Sequence, residues 1–312
     1  MSGKKCVGIM PSSWQRQLAK EISQIENMAP AALAAAASLP LDRERVQVIG
    51  ITGPPGGGKS TLCNQLLQKL GEKARVAALL VDPSSPYSGG AILGDRIRMQ
   101  SLVSNPNIYI RSLSNRGNPG GVGSSLVSIL RAVMAWDFSH IIIETVGAGQ
   151  SEVKIASIAD TVLVVSVPNL GDDIQAVKSG ILEIADIFVI NKADLPGADS
   201  LYTALRESAQ RAVEGWTAPL CQTVAHQGIG IDALIEEIER HRQWLLDSDR
   251  LLQKRRNAAK FEVAELSRVL LEKHLEKLPT AALAGYLSHR GGNLLKKLDA
   301  AYAEILNSLE EV

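Results

Sequence analysis

Short apolar runs alternate with longer amphipathic segments through the middle of this chain. Seven runs rich in valine, isoleucine and leucine predict strands near residues 46–51, 76–81, 108–110, 140–144, 161–167, 187–190 and 220–224. The segments between these runs are long enough to form helices. Strand–helix alternation implies right-handed crossovers and a parallel sheet that is covered on both faces. The pattern therefore predicts an α/β fold with a mostly parallel central sheet, helices on both faces, and helical extensions at the N and C termini.

The two ends of the chain differ from this middle region because they have helical periodicity without strand signals. Trp14 to Leu39 has helical spacing, and its alanine-rich tract before Pro40 predicts a close-packed helix. We therefore divide the chain into an N-terminal helical extension at 1–44, an α/β domain at 45–245 and a C-terminal helical region at 246–312.

The C-terminal region contains an apolar stripe that should be buried. Ala259, Val263, Leu266 and Leu270 repeat at helical spacing. We expect a second copy of the chain to cover this stripe, which makes the region a predicted dimerisation arm. Packing against the α/β domain or against a partner protein are the alternatives.

Residues 53–60 form a complete phosphate-binding loop, Gly-Pro-Pro-Gly-Gly-Gly-Lys-Ser, between the first predicted strand and a predicted helix. In such a hinge, backbone N–H groups and the helix N-terminus surround a phosphate chain. Lys59 is expected to neutralise the β- and γ-phosphates, and the Ser60 hydroxyl to bind Mg²⁺. The chain should therefore bind a nucleoside di- or triphosphate. The predicted contact residues are Gly53, Pro55, Gly56, Gly57, Gly58, Lys59, Ser60 and Thr61.

A second motif, Asn191-Lys192-Ala193-Asp194, ends the sixth predicted strand and points to guanine. The Asp194 carboxylate can accept from guanine N1–H and from the 2-amino group, whereas adenine has neither donor. A buried carboxylate without a donor would discriminate against ATP. Asn191 is expected either to reach the O6/N7 edge or to tie this loop to the phosphate loop, while the Lys192 stem lies along the purine.

Acidic residues at other predicted strand ends suggest a metal site. Asp82 ends the second run, Asp95 follows in a polar loop, and Glu144 ends the fourth run. The carboxyl ends of parallel strands meet at one edge of a sheet, so these groups should converge to hold Mg²⁺ and to position an attacking water. Gly147 is expected to sense the γ-phosphate through its N–H group.

Two longer blocks resemble the MeaB/ArgK family of P-loop GTPases. They are Asp82-Pro83-Ser84-Ser85 through Gly94-Asp95-Arg96, and Glu144-Thr145-Val146-Gly147-Ala148-Gly149-Gln150-Ser151-Glu152. The stretch 171–178 is similar to the third switch of that family, which reports the nucleotide state to a partner enzyme. The similarity is close over roughly 45–195 and is not convincing beyond about residue 250.

The resemblance implies that Ser60, Asp82, Asp95 and Glu144 surround Mg²⁺, and that Asp95 or Glu144 orients the hydrolytic water. It further implies a GTPase chaperone of an adenosylcobalamin-dependent acyl-CoA mutase of the methylmalonyl-CoA mutase type. Hydrolysis should be slow until that partner accelerates it. The resemblance also allows the adenosyltransferase of the mutase as a second partner. The serine usual in the second guanine loop of the family is absent, but the Ala225 N–H could still serve guanine O6.

Three alternatives remain open at this point. A metal-delivery GTPase shares the phosphate loop but needs a soft-ligand site, and the five histidines are scattered. A P-loop kinase would need an acceptor pocket and a base. A third alternative is a module that binds guanine nucleotide with negligible turnover.

The amino-acid composition limits the classes of partner that we expect. Lys plus Arg and Asp plus Glu both number 33, so no net field should attract nucleic acid or an anionic membrane. The basic cluster Lys254-Arg255-Arg256 is expected to be a solvated helix face. No apolar run approaches the ~20 residues that span a bilayer, and three widely spaced cysteines suggest a reducing compartment. We therefore expect a cytoplasmic protein.

Overall fold

The computed structural model describes residues 12–41, 44–82, 102, 105–114, 123–145, 154–168, 181–209, 212–213 and 215–276. Its central feature is a seven-stranded sheet in the order β3-β2-β4-β1-β5-β6-β9. Every neighbouring pair in this sheet is parallel. The predicted α/β fold with a mostly parallel sheet is therefore confirmed. The strands are β1 Gln47–Thr52, β2 Val76–Asp82, β3 Ile108–Ser114, β4 His140–Thr145, β5 Thr161–Ser166, β6 Ile187–Asn191 and β9 Leu220–Thr223.

The strands are continuous apolar runs because both faces of the sheet are covered. In β1, Val48 belongs to one buried cluster and Ile49 and Ile51 belong to the other, and all three are 0% exposed. A short antiparallel pair, β7 Ala212–Val213 and β8 Trp216–Thr217, lies outside the main sheet. The helices are α1 Ser13–Glu26, α2 Pro30–Ala37, α3 Lys59–Gly71, α4 Gly123–Met134, α5 Ala198–Ala209, α6 Ile231–Asp247 and α7 Arg250–Glu276.

The N-terminal helices pack on the same face of the sheet as α4. Leu18, Ile22 and Ile25 of α1 are buried in one apolar cluster with residues of α4 and of the central strands. The predicted helix in the alanine-rich tract is α2, which begins at Pro30, where proline costs no intrahelical hydrogen bond. The N-terminal extension therefore shares the core of the α/β domain.

Helix α7 also packs against α4, but the face that it buries differs from the predicted one. Val263, a member of the predicted stripe, is 65% exposed, whereas Arg255 and Glu262 are 3% and 5% exposed. Glu262 accepts from Ser128 Oγ at 2.7 Å and from Arg131 Nε at 2.8 Å. Ala258 and Val269 are also buried on this face, at 0% exposed. Apolar spacing alone did not identify the face, because ion pairs with residues distant in sequence contribute to it as well.

The expectation that Lys254, Arg255 and Arg256 form a solvated face is wrong for two of the three. The Arg255 guanidinium donates to the Asp160 carboxylate at 2.6 Å and to the Val46 carbonyl at 2.9 Å. Lys254 is partly buried against Asp160 and Asp186. Buried carboxylates draw these cations inward, and Arg256 alone is exposed.

The strand order places β1 where the chain changes direction across the sheet, with β4 on one side and β5 on the other. Crevices outside the carboxyl ends of strands at such a point are ligand sites in open α/β sheets. The phosphate loop follows β1 directly, so the topology puts it at this crevice. Over the residues that the model describes, no helix is both long and apolar enough to cross a membrane.

Candidate nucleotide-binding site

The phosphate loop connects β1 to α3 in a conformation that depends on glycine. Gly53, Gly56 and Gly58 all have positive φ, at 135°, 75° and 81°. A side chain at Gly53 would place Cβ 2.1 Å from the Val165 carbonyl oxygen of β5, and one at Gly58 would place it 2.3 Å from Asn191 Nδ2. The loop therefore packs tightly against β5 and β6, which leaves no room for side chains on that side.

Helix α3 begins at Lys59 and points its N-terminus toward the loop. The first N–H groups of a helix have no intrahelical acceptor and carry a partial positive charge. The Gly57 N–H donates to the Pro54 carbonyl at 3.1 Å, which closes the turn before the helix. Pro55 and Gly56 are exposed at the loop tip, and Ser60 and Thr61 follow in the first helical turn. The arrangement fits a phosphate chain.

Lys59 is 5% exposed and lies within the loop. Its Nζ donates to the carbonyls of Gly53 and Pro54, at 2.8 and 2.9 Å. These bonds hold the ammonium at the mouth of the loop, where a β- or γ-phosphate could replace the carbonyls with stronger, charge-assisted partners.

Ser60 and Glu144 come together across β1 and β4. The Ser60 hydroxyl donates to Glu144 Oε1 at 2.6 Å, and Glu144 is 8% exposed. The register pairs Ile51 of β1 with Glu144, which places the carboxylate beside the start of the phosphate loop. Hydroxyl and carboxylate oxygens are hard donors of the kind that Mg²⁺ prefers. The two residues therefore fit one side of a magnesium site.

Asn191 connects the 191–194 segment, the predicted base loop, to the phosphate loop, which is one of the two roles expected for it. Its Nδ2 donates to the Gly57 carbonyl at 2.9 Å. Its Oδ1 accepts from Thr223 Oγ1 and from the Ala225 N–H, both at 3.1 Å. Asn191 is 2% exposed, so its amide is fixed between β6, β9 and the phosphate loop.

Two details differ from the expected base site. The Ala225 N–H already donates to Asn191, so a bond to guanine O6 would require this N–H to be shared or released. Asp194 is exposed rather than buried as the selectivity argument assumed. A base must therefore cover Asp194 before an unpaired carboxylate can penalise adenine. Lys192, which has a φ of 55°, donates from Nζ to the Gly56 carbonyl at 2.9 Å.

Several predicted site residues lie outside the described part of the chain. Asp95, Gly147 and most of the 168–180 stretch belong to this group, and of Asp82 only the backbone is described, at the end of β2. Within the described residues, no group of three or more His, Cys, Asp and Glu side chains could hold a metal ion. The predicted magnesium set therefore cannot be assembled from these side chains alone.

Thr223 is a site residue that the sequence analysis did not identify. It is 0% exposed, and its hydroxyl orients the Asn191 amide. No local motif marks a threonine at a strand end. The signal was the parallel register of β6 and β9, which pairs Asn191 with Thr223.

A parallel sheet with a glycine loop, a buried lysine, a helix N-terminus and a paired serine and acid defines the P-loop nucleotide hydrolases. The description of the family model that matches residues 18–280 is "Methylmalonyl Co-A mutase-associated GTPase MeaB". The chain therefore belongs to the MeaB family, and it is a GTPase.

Individual relatives agree with this assignment. A Pyrococcus horikoshii protein named as a candidate GTPase, PH0274, is 40% identical, with 84% of each chain covered. The GTPase ArgK of Escherichia coli is 34% identical over 66% of this chain and 65% of its own. The mitochondrial methylmalonic aciduria type A homolog of Mus musculus is 33% identical over 74% of this chain and 58% of its own.

Among solved structures, a crystal structure of an LAO/AO transport system kinase has the same fold. Its TM-score is 0.59 at 22% identity, and the match covers 96% of this chain and 100% of that one. This likeness shows the fold alone.

Proposed function

We propose that the chain is a GTP-dependent switch that serves as a chaperone of an adenosylcobalamin-dependent acyl-CoA mutase of the methylmalonyl-CoA mutase type. The observation that carries the nucleotide site is the Ser60–Glu144 contact at 2.6 Å beside the buried Lys59. Asn191, bonded to Gly57, joins this phosphate site to the base loop. This bond supports the proposal that phosphate binding and base recognition take place in two directly connected loops.

The Ser60 hydroxyl and Glu144 carboxylate oxygens are of the kind that Mg²⁺ prefers, so these two residues would hold the ion. Asp82 and Asp95 are further predicted ligands. Bound Mg²⁺ would neutralise charge on the phosphate oxygens. The Ser60 hydroxyl would give up its hydrogen bond to Glu144, and the Glu144 carboxylate would hold the metal directly or through water. Lys59 would exchange the Gly53 and Pro54 carbonyls for phosphate oxygens. Orientation of the attacking water falls to Glu144 or Asp95.

Base selectivity is proposed to come from Asp194, with Lys192 along the purine face. Asp194→Asn should lose GTP affinity by about 100-fold and gain affinity for xanthosine triphosphate, because an amide can donate to a 2-keto group. Titration of fluorescent derivatives of both nucleotides measures the change. Asp199→Asn is the matched control, since Asp199 is an exposed acid on the next helix. Unchanged GTP binding in Asp194→Asn would remove Asp194 from base recognition.

The partner assignment comes from the family description and from the named mouse relative. We propose that residues 168–180, which include Lys178, pass the nucleotide state to the mutase and so gate cofactor loading or protect the active enzyme. The adenosyltransferase of the mutase is a second proposed partner, and the cytoplasm is the proposed location.

A homodimer through the C-terminal region remains part of the proposal. Leu252 and Val263 of α7 are 45% and 65% exposed. They lie 11 positions apart and therefore nearly on one helix face, as do the other members of the predicted apolar stripe. Light scattering of the parent chain and of Val263→Glu tests this proposal. A monomeric parent would contradict it.

The test of the function is GTP turnover by the purified chain, alone and with an adenosylcobalamin-dependent acyl-CoA mutase. In other GTPases a partner-supplied charge accelerates hydrolysis roughly 10³–10⁵-fold. We expect strong acceleration that disappears in Lys178→Ala. Product analysis separates the alternatives, since free phosphate indicates hydrolysis, a phosphorylated acceptor indicates a kinase, and unchanged GTP indicates a binding module. Turnover that no such mutase changes would retain the GTPase and remove the partner.

A further inference from the structure

Helix α7 is bridged to the segment that precedes β5. Lys154 Nζ lies 3.1 Å from Glu265 Oε2, and the two side chains are 31% and 14% exposed. Lys154 lies two residues after the 144–152 block, in which Glu144 contacts Ser60 of the phosphate loop. The Lys154–Glu265 pair therefore links the C-terminal helix to the segment that follows this block in the sequence.

A second lysine bridges α7 to the segments before β5 and β6. Lys254 Nζ lies 2.7 Å from the Asp160 carbonyl oxygen and 2.7 Å from Asp186 Oδ2. Asp186 closes the segment 181–186, which follows the 168–180 stretch in the sequence. The block that contains the predicted γ-phosphate sensor Gly147 and the proposed 168–180 segment thus each lead, along the sequence, into a segment that a lysine bridge holds to α7.

Among the described residues, a cleft that is open to solvent lies between these segments and α7. It has a volume of about 420 Å³ and is lined by Ala156, Ser157, Ile184, Lys254, Asn257 and Phe261. The two lysine bridges connect the segments to α7 beside this cleft.

On its other side, the 154–159 segment is seated directly on β1. A side chain at Gly50 would place Cβ 2.7 Å from Ile155 Cγ1 and 3.0 Å from Ala159 Cβ. Gly50 lies three residues before Gly53, the first residue of the phosphate loop. The segment is therefore in tight contact with the strand that leads into the phosphate loop, and it borders α7 beside the cleft.

We propose that the conformation of α7 depends on the bound nucleotide through the Lys154–Glu265 and Lys254–Asp186 bridges. In this arrangement the 154–159 segment moves together with β1, and its displacement is transmitted to α7, which presents the exposed apolar residues Leu252 and Val263. Nucleotide state thereby regulates the surface that the C-terminal region offers to a second copy of the chain. This inference rests on the proposed GTP switch, because the bridges can transmit a change only if GTP and GDP have different effects on the structure of the α/β domain.

The experiment is amide hydrogen exchange of the full chain, followed on peptides from the 258–272 part of α7. It compares GDP with a GTP analogue that carries a β,γ-imido bridge. We expect the exchange rate of these peptides to differ by about two- to fivefold between the nucleotides, the range that one partly exposed ion pair can supply. Lys154→Met should abolish most of the difference, and Lys154→Arg should retain it because the positive charge is kept.

A matched control is Glu272→Gln, which breaks a pair with Arg268 at 2.9 Å within α7 and should leave the nucleotide difference intact. Equal exchange rates in the two nucleotides, with normal binding of both, would overturn the inference while the GTPase stands. A nucleotide difference that survives Lys154→Met would also overturn it. Failure of the chain to bind either nucleotide would overturn the inference and the proposed function together.

Discussion

The two edges of the central sheet both bury polar groups, but they use them in opposite ways. At the amino edge, Asp160 is 1% exposed, and its carboxylate accepts from the Arg255 guanidinium and from the Val48 N–H at 2.6 and 2.7 Å. At the carboxyl edge, Lys59 bonds to loop carbonyls and Ser60 to Glu144, and these are the partners that the proposed function exchanges for a nucleotide and a metal.

This difference indicates which buried polar groups belong to a functional site. The partners at the amino edge are parts of the protein that a ligand cannot displace, so the edge fixes α7 and the strand starts in place. The partners at the carboxyl edge sit in a glycine loop at a helix N-terminus. Charged groups are therefore buried at stabilising and at functional sites alike. The two kinds of site differ in whether a ligand could take the place of the partner of the charged group.

Arg255→Met is expected to have the largest effect, and on stability alone. It would leave the Asp160 carboxylate buried without its cation, which costs roughly 3–5 kcal/mol of unfolding free energy. Denaturant unfolding measures the loss. Arg256→Met is the matched control because Arg256 is the exposed neighbour. Full GTP affinity in the folded Arg255→Met protein would support the assignment of the amino edge to stability. A selective loss of GTP affinity would contradict that assignment.

His241 at the amino edge should make stability depend on pH. Burial lowers the pKa of this imidazole to about 4, and its Nδ1 lies 2.9 Å from Thr161 Oγ1. The unfolded chain takes up the proton near its ordinary value of about 6.5, so the contribution of the neutral ring is present above that pH.

This contribution is lost as the pH falls from 6.5 toward 4. The unfolding free energy of the parent should then drop by roughly 3 kcal/mol more than that of His241→Phe. Unfolding curves across this range measure the difference, with His226→Phe as an exposed control. Parallel pH profiles for the parent and His241→Phe would contradict the assignment.

Thr223→Val tests the carboxyl edge with the smallest expected effect. Loss of the hydroxyl that orients Asn191 should weaken GTP binding about two- to tenfold, the range for one hydrogen bond. Nucleotide titration checks this, and Thr223→Ser should restore affinity. The exposed Thr217→Val serves as the control. If unfolding free energy falls but affinity does not, Thr223 belongs with the stabilising residues instead.

The strands could be predicted from the sequence because continuous apolar runs mark a sheet that is buried on both faces. The prediction near 108–110 stopped short of the true end at Ser114. Arg111 interrupts the apolar run, yet it is accommodated in β3 by an ion pair with Glu26 of α1. A charged residue whose partner lies 85 positions earlier has no local signal.

The same limit explains the helix face and the site. The face of α7 that packs on the domain includes Arg255 and Glu262, whose partners are distant in sequence, so aliphatic spacing did not identify it. The phosphate loop could be identified because its chemistry is contiguous. Thr223 could not, because its role depends on strand register, and the roles of Asp95 and Gly147 remain predictions.

The central claim is that the carboxyl edge hydrolyses GTP through Lys59 and its neighbours. The most direct measurement compares phosphate release from GTP by Lys59→Ala and Lys69→Ala. Both lysines lie on α3, but Lys69 is on the surface and pairs with Asp232 at 3.1 Å. We expect Lys59→Ala to lose at least about 100-fold in turnover, while Lys69→Ala matches the parent. Equal turnover in the two variants would contradict the assigned site.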